Sequence, residues 1–307
     1  MAFAREGRQR AKYLDPAILK SIGPLDVVAR EVVEGLRIGM HESPLRGIST
    51  EFTAYRPYAQ GDEARYVDWK VYARTRRYYV RLFEAETNFE ANLLLDASRS
   101  MHYGSGPVTK LEYAKYLAAS LAYLIVDQND SVGLAVFDGV LRRYLPPKST
   151  LGVVRDISRE LERTEPRPRT DIAARLHEFA RRIPRRGLVF LLSDLFDDTD
   201  GFAKGIGHLR FRGHNVVVFQ IMDPYELEFP LRGMCRFVGM EGEPEVITRP
   251  ARVRENYLAE LRAFTGAVRK ACFQHRADHV LVSTATPIEA VLGNYLLRRM
   301  SERKVLR

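Results

Sequence analysis

The residues best placed for chemistry are Asp96-Ala97-Ser98-Arg99-Ser100, at the end of the apolar run Ala91-Asn92-Leu93-Leu94-Leu95. An acid followed by hydroxyls at i+2 and i+4 lets one loop present three oxygens to a single point. An oxygen-only donor set suits a hard cation, Mg²⁺ or Mn²⁺, and not zinc. A second acid, Asp194, ends another apolar run, Gly187 to Ser193, in the same way. Thr170 follows the turn Glu165-Pro166-Arg167-Pro168 and is a possible fifth group. Each has a plainer reading: Thr170 alone fits a helix N-cap, and Asp96 with Ser98 could cap a turn. Asp138 and Asp223 also end apolar runs and are read as ordinary strand-end acids. The weight lies in the order and combination of the five.

To meet at one point, these groups need strands that end together. From Asn88 the chain alternates short apolar runs with amphipathic stretches. Strands are expected at 91–96, 130–138, 187–193, 215–222 and 279–282, with 140–145 returning as a hairpin through Asp138-Gly139. Between them, apolar spacings of three and four predict helices, such as Leu111, Ala114, Leu117, Leu121 and Leu124, or Ile172, Leu176, Phe179 and Ile183. Further helices are expected at 151–161, around 202–209, at 251–275 and from Ile288, with an irregular β segment at 236–248. Alternation of this kind means an α/β fold with a mainly parallel sheet covered on both faces. In a doubly wound sheet, strands flanking the order reversal share a crevice at their carboxyl ends, where Asp96 and Asp194 would converge.

The first 87 residues differ and are read as a separate segment, with the α/β domain at 88–307. Leu25 to Ile38 predicts a helix; Ser43 to Glu86, rich in Tyr, Arg and Gly without helical period, predicts hairpins and turns packed on the α/β domain. Two cysteines, Cys235 and Cys272, cannot build a disulfide framework, and no apolar run approaches the roughly 18 residues of a membrane span. The chain is expected to be cytoplasmic. Its net charge of +9 raises nucleic acid as a partner, through Arg74, Arg76, Arg77 and Arg81 or Arg181, Arg182, Arg185 and Arg186. No zinc-finger spacing or RNA-recognition aromatic signature accompanies these clusters, so a solvated basic face is preferred.

Asp96-x-Ser98-x-Ser100, then Thr170, then Asp194 resembles the metal-ion-dependent adhesion site of von Willebrand factor A domains. Upstream, Gly39 to Ser43, Gly47 to Phe52, Arg56-Pro57-Tyr58, Gly61-Asp62, Arg65, Val67-Asp68-Trp69 and Ala73-Arg74 are similar to the segment typical of the "domain of unknown function 58" proteins. The resemblance runs from about Gly35 to the C-terminal helix. It implies a six-stranded sheet of order 3-2-1-4-5-6. It also implies one ion held directly by Ser98, Ser100 and Thr170, with Asp96 and Asp194 acting directly or through water, and a partner's Asp or Glu completing the shell. Leu195 departs from the pattern, since many A domains carry Gly after this acid. Larger relatives are membrane-anchored ahead of the segment, and this chain shows no such helices. The family's genomic company implies a MoxR-type AAA+ ATPase as partner.

The upstream residues Arg56, Asp62, Arg65, Asp68, Trp69 and Arg74 are either a partner surface or an ion-pair and stacking network. The second reading is preferred, with Trp69 in the core. Three functions follow in rank order. The first is a non-catalytic interaction module with a Mg²⁺-dependent adhesion site. The second is a metal-dependent phosphohydrolase using Asp96 and Asp194 with Asp197, Asp198 and Asp200, although these last three also suit a helix cap. Nucleic-acid binding is third. No G-x-x-x-x-G-K-[ST] loop is present, so the chain is not itself a P-loop ATPase.

Overall fold

A computed structural model describes residues 24–41, 55–58, 69–81, 90–167, 171–240 and 245–305. They fall into two compact units, one within Met1–Met40 and Phe89–Arg307, the other within His41–Asn88.

In chain order the described elements begin with helix α1 (Leu25–His41), strand β1 (Tyr55–Pro57), helix α2 (Trp69–Thr75) and strand β2 (Tyr79–Arg81). The larger unit continues with β3 (Glu90–Asp96), α3 (Lys110–Asp127), β4 (Ser131–Phe137), β5 (Leu141–Lys148), α4 (Leu151–Arg163), α5 (Ile172–Arg182) and β6 (Leu188–Ser193). It closes with α6 (Thr199–Phe211), β7 (Asn215–Met222), α7 (Pro224–Glu228), β8 (Cys235–Phe237), β9 (Val246–Thr248), α8 (Pro250–Gln274), β10 (Asp278–Ser283) and α9 (Ile288–Val305).

Six strands make one sheet in the order β10-β7-β6-β3-β4-β5. All neighbours are parallel except β5, which returns antiparallel to β4. Counting only these six in chain order, this is 3-2-1-4-5-6, the order expected of a von Willebrand A-like fold. The order reverses between β3 and β6, so the ends of these two strands open onto a common crevice.

The four central strands β3, β4, β6 and β7 are apolar almost throughout because both of their faces are buried. Successive side chains point to opposite faces. Leu93 and Leu95 of β3, with Leu188, Phe190 and Leu192 of β6, enter a core with α1, α3, α4 and α9. Leu94, Val189 and Leu191 enter the opposite core with α5, α6 and α8. Helix α1 joins the first core through Leu25, Val28, Ala29, Val32 and Leu36, and the Leu25 amide donates to Glu162 of α4 at 3.0 Å. Its apolar stripe therefore belongs with the α/β unit and not with the segment that follows it.

The edge strand β5 carries Pro146 and Pro147. Its register against β4 shifts between Val132 and Leu134, opposite these prolines. Gly133 makes that close approach possible, since a Cβ there would lie 2.6 Å from the Leu145 carbonyl oxygen. Among the described residues no helix is long and apolar enough to cross a membrane.

In the smaller unit β1 and β2 pair antiparallel, with Arg56 opposite Val80. The sequence predicts only hairpins and turns here, but α2 is a helix. Its seven residues span about two turns, too few for an apolar period to show. Trp69, expected in the core, is 58% exposed. It is the first residue of α2 and, among the described residues, packs edge-on against the rings of Tyr72 at 6.1 Å and Tyr78 at 6.5 Å, while Tyr72 and Tyr78 stack at 4.4 Å.

Candidate functional site

Asp96 ends β3 and is buried. Its Oδ1 accepts the Ser98 amide at 2.8 Å, which turns the loop, and its Oδ2 accepts the Ser193 hydroxyl at 2.6 Å. The Ser98 and Ser100 hydroxyl oxygens lie 3.0 Å apart, Ser98 buried and Ser100 opening a 3-10 turn. Asp96, Ser98 and Ser100 thus gather at one loop. Ser98 also bridges to Arg167, whose amide donates to the Ala97 carbonyl at 3.0 Å. That contact brings the segment before Thr170 against the same loop; Thr170 itself lies outside the described residues.

Asp194 follows β6 directly and is buried. It does not stand free. Its Oδ2 accepts from the Lys110 ammonium at 2.8 Å, and Lys110 also donates to Glu226 at 2.6 Å. The Lys110 side chain is 0% exposed, closed over by the Phe196 ring at 4.9 Å from its ammonium. Two helix starts build this cluster. Thr109 and Glu112 form a capping box that fixes Lys110 as the first residue of α3. Asp223 and Glu226 form a second box that starts α7, with Pro224 at its first position. Asp223 is no plain strand-end acid, because it also accepts the Ser105 amide and hydroxyl at 2.8 and 2.5 Å. Asp138 is one: it turns the β4–β5 hairpin and pairs with Arg142.

The charges respond to these surroundings. Burial, and then the charge of Asp194, push the Asp96 carboxyl up to about 7, against the hydrogen bonds from Ser193 and Ser98. Burial opposes the charge on Lys110, yet Asp194 and Glu226 outweigh it and hold its pKa above the ordinary lysine value. For Glu226 burial wins and raises it despite Lys110. The ammonium therefore serves Asp194 and Glu226, while Asp96 receives only neutral donors among the described contacts.

The donor set of Asp96, Ser98 and Ser100 fits a hard cation: its atoms are all oxygen, adjacent, and two of the three residues are buried. Among the described residues no three of His, Cys, Asp and Glu are grouped for a metal, so an ion here would rely on the two hydroxyls.

Other expected groups scatter. Asp197 accepts the Ile172 amide at the start of α5, and Asp198 caps α6 through the amides of Asp200 and Gly201. These acids hold helix ends. Arg182 lies 4.9 Å over the Tyr144 ring, and Arg185 pairs with Glu90 at 3.0 Å. Arg74 is exposed; Arg56 lies in β1; Asp62, Arg65 and Asp68 fall outside the described residues. Sequence reasoning missed Lys110, Ser193 and Glu226. Two signals were present: the boxes Thr109-x-x-Glu112 and Asp223-Pro224-x-Glu226, and a lysine at a helix start, where the macrodipole disfavours positive charge.

The family model described as "Protein of unknown function DUF58" matches residues 54–265, more than half of the chain. The chain belongs to this family. Among relatives of the DUF58 chain is the uncharacterized protein Rv1480 of Mycobacterium tuberculosis, 25% identical over 219 residues, covering 70% of this chain and 68% of that one. The uncharacterized protein Mb1516 of Mycobacterium bovis matches equally. Similar solved structures include the conserved hypothetical protein BatB from Bacteroides thetaiotaomicron, at 20% identity and TM-score 0.48, covering 69% of this chain and 99% of that one. Another is the SpRpn10 VWA domain, at 11% identity and TM-score 0.41, covering 67% and 94%. The larger unit of this DUF58 protein is von Willebrand A-like in sheet order and layering.

Proposed function

We propose that the protein is a non-catalytic interaction module that binds a protein partner through a Mg²⁺-assisted site at the Asp96–Ser100 loop. The observation that carries the reading is the gathering of the Asp96 carboxylate and the Ser98 and Ser100 hydroxyls at the switch point of the sheet. Asp96, Ser98 and Ser100 would hold the ion, with Thr170 as the expected further ligand. The bound ion supplies a Lewis-acidic position for a partner's Asp or Glu. This chain's own residues orient it: the Ser98 amide and Ser193 hydroxyl fix the Asp96 carboxylate, and the Ala97–Arg167 contact ties down the loop.

A MoxR-type AAA+ ATPase is the partner we assign first, on family resemblance. The compartment is taken as the cytoplasm, in keeping with two free cysteines, Cys272 buried and Cys235 half-buried. A hydrolytic reading is disfavoured by Asp197 and Asp198, whose carboxylates are spent on helix amides. The test is binding of the purified ATPase to wild type in Mg²⁺, to wild type in EDTA, and to Asp96→Ala. Binding only by wild type in Mg²⁺ is expected. Equal binding in all three samples would exclude the metal-assisted mode.

A further inference from the structure

Lys110 stands where the Asp194 arm of a cation site would act. Its ammonium is completely enclosed, and it is held by two carboxylates at 2.8 and 2.6 Å. An aliphatic stem running to a buried charge makes sense only if that charge answers the acids beside it. It answers them unequally. Asp194 and Glu226 are each bonded to the ammonium, whereas Asp96 accepts from the Ser98 amide and Ser193 hydroxyl. Lys110 is also the first residue of α3, so the positive end of that helix adds to the same side. The crevice is thereby divided. The Asp96 side presents oxygens without a charged partner among the described contacts, and the Asp194 side already holds a cation that is covalently part of the chain.

We propose that Lys110 is an internal competitor for the divalent ion, withholding Asp194 and keeping the Asp96–Ser100 loop in a low-affinity state. The inference rests on the metal-assisted reading above and adds what regulates it. With Asp194 engaged, an entering Mg²⁺ meets one carboxylate and hydroxyls, and faces a like charge across the crevice. An event that draws Lys110 toward Glu226 frees Asp194 and raises affinity at the loop. Helix α7, only five residues long and started by the Asp223 box, carries the alternative acceptor, so its position selects which acid the ammonium serves.

The experiment is Mn²⁺ titration, read by the electron paramagnetic resonance of free Mn²⁺, on the full chain. Removing Lys110 alone would strand two buried acids and risk unfolding. The informative variant is therefore Lys110→Met/Glu226→Gln, which removes one positive and one negative charge together and leaves Asp194 free. Its Mn²⁺ affinity is expected to exceed wild type by at least tenfold, and adding Asp96→Ala should abolish the gain. Glu226→Gln alone keeps an acceptor for Lys110 but shifts its charge onto Asp194, so Mn²⁺ binding should weaken severalfold. That single variant decides the matter if circular dichroism shows the double variant unfolded. A folded double variant that binds Mn²⁺ no tighter than wild type, or a Glu226→Gln variant with unchanged affinity, overturns the competition. If wild-type binding is meanwhile lost in Asp96→Ala, the metal-assisted reading stands without it. Absence of Mn²⁺ binding in every folded variant removes both.

Discussion

Leu195 follows Asp194 with φ of +62°, a left-handed backbone that costs a branched residue about 1–2 kcal/mol relative to glycine. It is nonetheless leucine, and it is buried in the core with α5 and α6. Its amide donates to the Ser193 hydroxyl at 2.9 Å, and that hydroxyl in turn donates to Asp96, so the strained turn aims one acid while placing the next. Burial of the leucine outweighs the strain. Leu195→Gly should relax the backbone yet lose about 2–5 kcal/mol of packing, for a net loss centred on ~2 kcal/mol within a span of about 0–4 kcal/mol in urea denaturation. A gain in stability would show that the strain dominates.

At the scale of elements, a hydrogen-bonded line crosses the sheet from β10 to the site. His279 of β10 donates from Nε2 to the Gln220 Oε1 of β7 at 3.0 Å, and Gln220 donates to the Asp194 carbonyl at 3.4 Å. Burial first, then Arg269 and Arg298, lower the His279 pKa to about 4. The folded state therefore binds this proton less readily than the unfolded chain, whose histidine titrates near 6.5. The stability from neutral His279 is present above about pH 6.5 and is lost as pH falls towards 4. Discounted for its partial exposure, the loss is about 1–2 kcal/mol. The melting temperature of wild type should fall more steeply over that range than that of His279→Asn; parallel curves would show that His279 is not the group responsible. The elements themselves were largely legible: buried parallel strands such as Leu188–Ser193 read as unbroken apolar runs, and α5 shows a clear period at Ile172, Leu176 and Phe179. The placement of Asp96 and Asp194 at the ends of neighbouring core strands was also legible, because residues at strand ends keep their place in sequence. What brings Lys110, Ser193 and Glu226 to them is long-range packing. Lys110 and Glu226 are 116 positions apart, and the apolar period that locates α3 passes over a charged first residue. Helix α2 was hidden by its length.

For the whole molecule, the sheet ends on one side in β5, where Arg142, Arg143, Pro146, Pro147 and Lys148 line the margin. Prolines have no amide hydrogen, and because successive amides face opposite sides of a strand, one of this adjacent pair removes a donor from any ladder along that margin. Charge and proline together are the usual defence of an edge strand against pairing with another chain. Replacing both prolines by threonine should increase self-association at equal protein concentration in light scattering, and an unchanged profile would show that charge alone suffices. The defence bears on discrimination. Backbone pairing accepts almost any extended peptide, because amides are the same in every residue. With that mode denied along this margin, a visitor there must be told apart by its side chains, and selectivity becomes a matter of chemistry at the contact and not of length or extension.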